Sequence, residues 1–150
     1  MQLLGLSNVA GITSYSQLIK ELERIRTEIM GKEVADKATE LMQENIDTEV
    51  MAKYTPVSYV RTGLLRESVE ANMEGDDTLV VKNTRSDYGY DGHYRDVAET
   101  IEMGEGYYNK SLDDIIGARP FTAVTRQELK DGEFRKSLKQ GFKNRGIETD

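Results

Sequence analysis

The chain contains no cysteine and no tryptophan, and only one histidine, two prolines and three phenylalanines among its 150 residues. Without cysteine there are no disulfides and no thiolate metal sites, and the redox compartment is left open. A single histidine cannot build a His-rich metal centre. No apolar run approaches the roughly 18 residues that span a bilayer, so no membrane partner is expected. The opening MQLLGLSNVAGI is apolar, but it lacks a basic region and carries two glycines. Residues 1–13 therefore read as an arm or strand, not as a signal peptide. No Gly-x-Ser-x-Gly elbow, P-loop or dinucleotide fingerprint occurs, and no cofactor is expected.

Positive charge is also short. Twenty Lys and Arg face 27 Asp and Glu, a net charge of −7, which argues against a nucleic-acid binder relying on phosphate contacts, although a local basic patch is compatible with it. Hydrophobic residues make up 37% and charged residues 31%, so the core is modest. Such a chain folds alone marginally or buries further surface against copies of itself. The length suits a single domain over 1–150, with 143–150 expected to fray.

Ser14 and Gln17 fit a capping box ahead of an apolar stripe at Leu18, Leu22, Ile25 and Ile29. A second stripe, Val34, Ala38 and Leu41 with Ala35, Met42 and Ile46 beside it, falls on nearly the opposite side at 100° per residue. Either the helix kinks or breaks at Gly31 so that both stripes meet one core, or an unbroken helix serves its own domain with one end and a neighbouring subunit with the other. The first reading is preferred. Residues 53–63 read as an extended connector. SVEANM and TLVVKN alternate in polarity around EGDD and predict an antiparallel hairpin. Residues 83–93 read as a long exposed loop, YRDVAETIEMG as a short helix or turn, and EGYYNKSL as another loop. Pro120 suits the first position of a closing helix carrying Phe121, Val124 and Leu129, with a break near Gly132 before Phe134, Leu138 and Phe142. This order points to α+β: a long N-terminal helix, kinked or not, on a small antiparallel sheet, with a C-terminal helix.

Chemistry is sparse. His93, near Tyr90, Asp91, Tyr94 and Asp96, could act as a general base, but a surface or interface hydrogen bond is the simpler reading. Asp87, Asp91, Asp96, Glu99 and Glu102 could hold a hard cation, which keeps open a small metal-dependent hydrolase or nuclease using the carboxylates of 87–102. They lack EF-hand spacing, and incidental surface charge is preferred. No catalytic, cofactor or metal residue is assigned. Tyr88, Tyr90, Tyr94, Tyr107 and Tyr108 crowd the irregular middle. With His93 they mark candidate partner-contact loops, since tyrosine is favoured at interfaces; pinning the loops onto their own sheet is the alternative.

Three segments, RTGLLRESV, VAETIEMGEG and GARPFTAV, carry a resemblance in their order and spacing. Thr62, Gly63, Leu65, Arg66, Ser68 and Val69 match the first part of the pattern; Ala98, Ile101, Glu102 and Gly104 the second; Ala118, Arg119, Pro120 and Phe121 the third. Over about residues 14–140 the chain resembles the tail-component family of long-tailed bacteriophages, the tail-completion or head–tail joining proteins. Met103 departs from the aromatic usual there, Val97 from Tyr, and Glu105 from Thr. The resemblance implies a non-enzymatic structural virion protein in the tail or neck, made in the host bacterial cytoplasm. It would work as a homo-oligomeric ring against the tail tube and head-completion or connector proteins, with a tail-assembly chaperone as a close variant. An acidic lining would let DNA pass without specific binding. Arg119 would be free to brace a carboxylate such as Glu102.

Overall fold

The computed structural model describes residues 11–53, 55, 62–88, 92–106 and 117–150. Most of the expected arm, residues 54 and 56–61 of the expected connector, and Tyr90, Asp91, Tyr107 and Tyr108 lie outside them. The fold is α+β: a long helix, α1 (residues 15–51), carries two small antiparallel hairpins and a C-terminal helical pair.

Helix α1 starts as its capping residues predict. Ser14 is extended, with φ −143° and ψ 157°, and its hydroxyl accepts the Gln17 N–H at 3.3 Å. The Gln17 side chain reaches back one residue further than a standard capping box, accepting the Thr13 N–H at 2.7 Å.

The expected break at Gly31 does not occur. Helical dihedrals run from Ile29 to Ala35, and the helix instead widens into π-helical turns over Met30–Val34 and again over Ile46–Met51. The spacing of the apolar residues explains both turns. Ile25 and Ile29 are four apart, but Val34 follows after five; Ala38, Leu41 and Asn45 resume the ordinary steps, and Val50 again follows after five. In an α-helix a five-residue step lands about 140° off the stripe. A π turn, bonding i to i+5, brings that residue back over its predecessor. Two opposed stripes thereby become one, and Ile25, Ile29, Val34, Ala38, Leu41 and Val50 are all buried within the monomer. The notion of one end of the helix serving a neighbour assumed 100° per residue throughout.

Two clusters line this stripe. Ile25, Ile29 and Val34 pack with Leu79, Leu138, Phe142 and Ile147. Met42, Ile46 and Val50 pack with Leu65, Ala98 and Phe121, flanked by Met51, Val69, Val81 and Ile101.

The short helix α2 (Leu64–Glu67) leads into the predicted hairpin, β1 (Val69–Glu74) and β2 (Thr78–Asn83). Val69, Ala71 and Met73 lie opposite Asn83, Val81 and Leu79, so alternation turns one face onto α1. Met73 passes so close to Gly31 that a Cβ there would stand 3.3 Å from its Cγ. The Thr27 hydroxyl donates to the Asp76 carbonyl in the hairpin turn at 2.6 Å.

The segment read as a loop from 83 to 93 is instead partly paired. Strand β3 (Ser86–Tyr88) runs antiparallel to β4 (Tyr94–Asp96), with Tyr88 opposite Tyr94. The strands are too short to show polar alternation, which is why the sequence read as loop. Helix α3 (Val97–Met103) follows directly, capped by the Asp96 carboxylate on the Glu99 N–H at 2.9 Å.

Helix α4 (Phe121–Glu128) and helix α5 (Phe134–Asn144) are separated at Gly132, whose φ of 136° breaks the helix where the shift of apolar face predicts. Helix α5 crosses α1 at Gly141, which is buried against the fully buried Ile29. Residues 143–147, expected to fray, form a Schellman end. The Ile147 N–H donates to Phe142 and the Gly146 N–H to Lys143, while Ile147 joins Phe142 in the core.

Candidate functional site

The three pattern segments come together as corners. Gly63 takes a left-handed conformation (φ 77°) to start α2, and Leu65 enters the core beside Ala98 and Phe121. Arg66 bonds Asp47 on α1 through Nε at 3.1 Å, and its carbonyl accepts Gln43 Nε2 at 3.3 Å. The Ser68 hydroxyl donates to the Leu64 carbonyl at 2.6 Å, closing α2. Thr62 Oγ1 stands 3.5 Å from the Leu64 N–H, at the limit of a hydrogen bond.

From α2 a relay of hydrogen bonds, begun by the Asn83 side chain and continued by backbone, joins the segments. Asn83 Nδ2 donates to the Leu65 carbonyl at 2.6 Å, and its Oδ1 accepts the Arg85 N–H at 3.0 Å. The Arg85 carbonyl accepts the N–H groups of Val97 and Ala98 at the start of α3, and the Ile101 carbonyl accepts the Arg119 N–H at 3.1 Å.

The Arg-Pro-Phe corner ends this relay. Pro120, with φ −84° and ψ 60°, is the centre of an inverse γ-turn, the Phe121 N–H donating to the Arg119 carbonyl at 2.9 Å. Proline therefore stands one place earlier than expected, at the N-cap. It has no side-chain acceptor for the open amides of the first turn. Glu102, arriving from α3, supplies one. Its two carboxylate oxygens accept the N–H groups of Thr122 at 2.9 Å and Ala123 at 3.1 Å, the amides an N-cap side chain would serve. Its negative charge also suits the helix N-terminus. The Glu102 carboxylate thus braces backbone, a use not foreseen for it, while Arg119 is buried at the corner.

Sequence reasoning missed a buried polar latch. Asn45 Nδ2 donates to Thr125 Oγ1 at 3.0 Å and to Glu128 Oε2 at 2.7 Å, and the Thr125 hydroxyl donates to the Phe121 carbonyl at 2.8 Å. The clue was an asparagine on the apolar stripe of α1, which a buried amide needs partners to justify. Glu33 and Arg145 make a second long-range tie at 2.5 Å. Burial alone would raise the Glu33 carboxyl, but the Arg145 hydrogen bond, helped by backbone bonding, outweighs it and holds the group below its ordinary value of 4.5.

The described carboxylates of 87–102 do not converge. Asp87 pairs with Arg85 at 2.7 Å, Asp96 caps α3 and Glu102 caps α4. Among the described residues no three Asp, Glu, His or Cys side chains stand close enough to share a metal ion. His93 is exposed. Tyr88 and Tyr94 are 70% and 65% exposed, with ring centroids 5.6 Å apart and planes at 71°, an edge-to-face pair on the second hairpin.

A groove of about 630 Å³ opens between β2, α1 and the α4–α5 corner. Met42, Leu79, Val81, Leu129 and Phe134 give it apolar walls, and Arg126, Lys130 and Arg135 a basic rim.

The YomN family model matches residues 14–144, which include every described element up to the end of α5. The SPbeta prophage-derived protein YomN of Bacillus subtilis (strain 168) is 36% identical over 110 residues, covering 72% of this chain and 75% of the relative. No solved structure matches. No described helix is long and apolar enough to cross a membrane. The chain belongs to the YomN family, a prophage-associated family.

Proposed function

We propose that this protein is a structural component of a phage tail, completing its head-proximal end or the head–tail connector as an oligomeric ring held by protein–protein contacts. The observation that carries the reading is the convergence of the tail-component pattern on architecture. Leu65, Ala98 and Phe121 share one core cluster, and Glu102 caps the helix that Arg119-Pro120-Phe121 begins. The pattern residues fix corners, and the exposed tyrosines and basic groove are left for partners. A prophage-derived relative supports a phage setting, and a net charge of −7 favours passage of DNA without grip. Of the carboxylates in the rival hydrolase reading, Asp87 pairs with Arg85 and Asp96 and Glu102 cap helices, which favours the structural one.

Deletion of the gene from an inducible prophage tests this. The expected result is filled heads and tails that fail to join, with tagged protein present in purified wild-type particles. Normal joined particles without the protein would refute the reading. A protein required for tails yet absent from them would be a chaperone.

A further inference from the structure

We propose that the groove between β2, α1 and the α4–α5 corner receives the tyrosine hairpin β3–β4 of a second copy, in a head-to-tail contact that repeats around the ring. This rests on the ring reading and names the two surfaces that would make it.

The groove has the form of a socket. Its volume of about 630 Å³ falls within the roughly 300–1,000 Å³ of pockets that enclose drug-sized groups. Phe134, 39% exposed, offers an aromatic face in it beside Leu79 and Val81. Around it stand Arg126, Lys130 and Arg135, none in an ion pair with another described residue. The hairpin has the form of the plug. Strand pairing sets Tyr88 opposite Tyr94, and the two exposed rings stand edge to face, offering large apolar area on side chains with few rotors. Exposed carboxylates neighbour them in the chain at Asp87, Asp96 and Glu99.

Charge selects the occupant. Residues 83–106 hold six Asp and Glu against two Arg, whereas residues 117–150 hold eight Lys and Arg against five Asp and Glu. Hairpin against hairpin would oppose like charges; hairpin against groove opposes unlike ones, and such complementarity sets register. The hairpin packs on α3 in its own chain, while the groove is lined by α1, β2, α4 and α5. Two different surfaces make a heterologous contact, which closes into a ring when the rotation permits.

Sedimentation velocity on wild type, a groove variant (Arg126→Glu with Arg135→Glu) and a hairpin variant (Tyr88→Ser with Tyr94→Ser) tests the pairing, with circular dichroism confirming that each folds. All four positions are exposed. Each variant alone is expected to weaken assembly roughly tenfold or more. Mixed in equal amounts they should form dimers and stop there, because only one intact plug and one intact socket can meet. Adding Asp87→Lys and Glu99→Lys to the groove variant should restore assembly. Wild-type rings that survive both variants would overturn the pairing and leave the ring reading standing. A wild type that is monomeric both in solution and in particles overturns both. A groove variant that self-assembles normally yet is lost from particles would assign the groove to another protein.

Discussion

Substituting Gly104 by alanine should unlatch the chain between α3 and α4, and a second glycine supplies the control that isolates the cause. Gly104 and Gly75 have nearly the same left-handed backbone, φ 71° and 73°. They differ in surroundings. A Cβ on Gly75 would meet nothing within 4 Å, whereas one on Gly104 would lie 2.2 Å from the Ala118 nitrogen and 2.3 Å from the Gly117 carbonyl carbon. The left-handed conformation costs an alanine about 1–2 kcal/mol, and the stiffer unfolded chain returns about 0.4–1. Gly75→Ala should therefore lose only about 1 kcal/mol. In Gly104→Ala the colliding atoms are backbone and cannot rotate away, so residues 117–118 must lift off α3. The Arg119 bond to Ile101 then goes, worth about 1 kcal/mol, and Glu102 is drawn off the first turn of α4, worth about 1–2. The sum is about 3–4 kcal/mol, read by urea denaturation. At about 2–4 °C per kcal/mol for a chain of this size, the melting temperature should fall by about 10 °C. Glu102→Ala should then cost little further in the Gly104→Ala background, because its contact is already lost. Equal losses for the two glycine variants would refute the reasoning, since the backbone conformation alone would account for both.

Three further outcomes follow from the packing. Asn45→Asp places a carboxylate against Glu128 inside the latch, 2.7 Å from its oxygen, and should cost about 2–4 kcal/mol at neutral pH; a denaturation series should show the loss shrinking as acid protonates one of the pair. Glu33→Gln should cost about 1 kcal/mol at pH 7. Because the folded carboxyl lies below its ordinary value of 4.5, that contribution is complete above 4.5 and disappears as pH falls through the lowered value, so wild type and variant should converge in acid. Gly141→Ala drives a Cβ to 2.3 Å from Ile29 Cγ2 and should cost about 1–3 kcal/mol by overpacking; in an Ile29→Ala background the same change should cost clearly less, since both Cγ atoms are gone and only the Cβ, 3.1 Å away, remains in its path.

Most elements were legible because their cues are local. Ser14 and Gln17 announce α1, the alternation of Val69, Ala71 and Met73 announces β1, and the change of apolar face at Gly132 announces the break between α4 and α5. The π turns were not legible. A five-residue step from Ile29 to Val34 looks like a change of face under a fixed 100° rotation, and it reads as a widened turn only once both residues are seen to pack in one cluster with Leu79, Leu138 and Phe142. The β3–β4 pairing was hidden because three-residue strands carry no readable period. In the site, Glu102 and Pro120 were both noticed, but their relation was not. That a proline at an N-cap needs an acceptor from elsewhere becomes visible once α3 is seen to end beside α4. The Asn45 latch joins residues 80 and 83 positions apart, a separation no local pattern reports.

Net charge left room for a local basic patch but could not place it. The total of −7 averages a carboxylate-rich stretch at 83–106 with a cation-rich one at 117–150. The basic groove rim is not thereby a phosphate track. Arg126, Lys130 and Arg135 surround an apolar floor and share the groove with Asp131, whereas a backbone-tracking surface needs cations in line and a polar floor that tolerates bound ions. Burying Leu79, Val81 and Phe134 against sugar and phosphate would recover little of what those side chains lose by facing water. Aromatic rings carried on a carboxylate-rich segment recover both terms at once, so the same three cations that argue weakly for DNA argue more strongly for a tyrosine-bearing acidic protein surface.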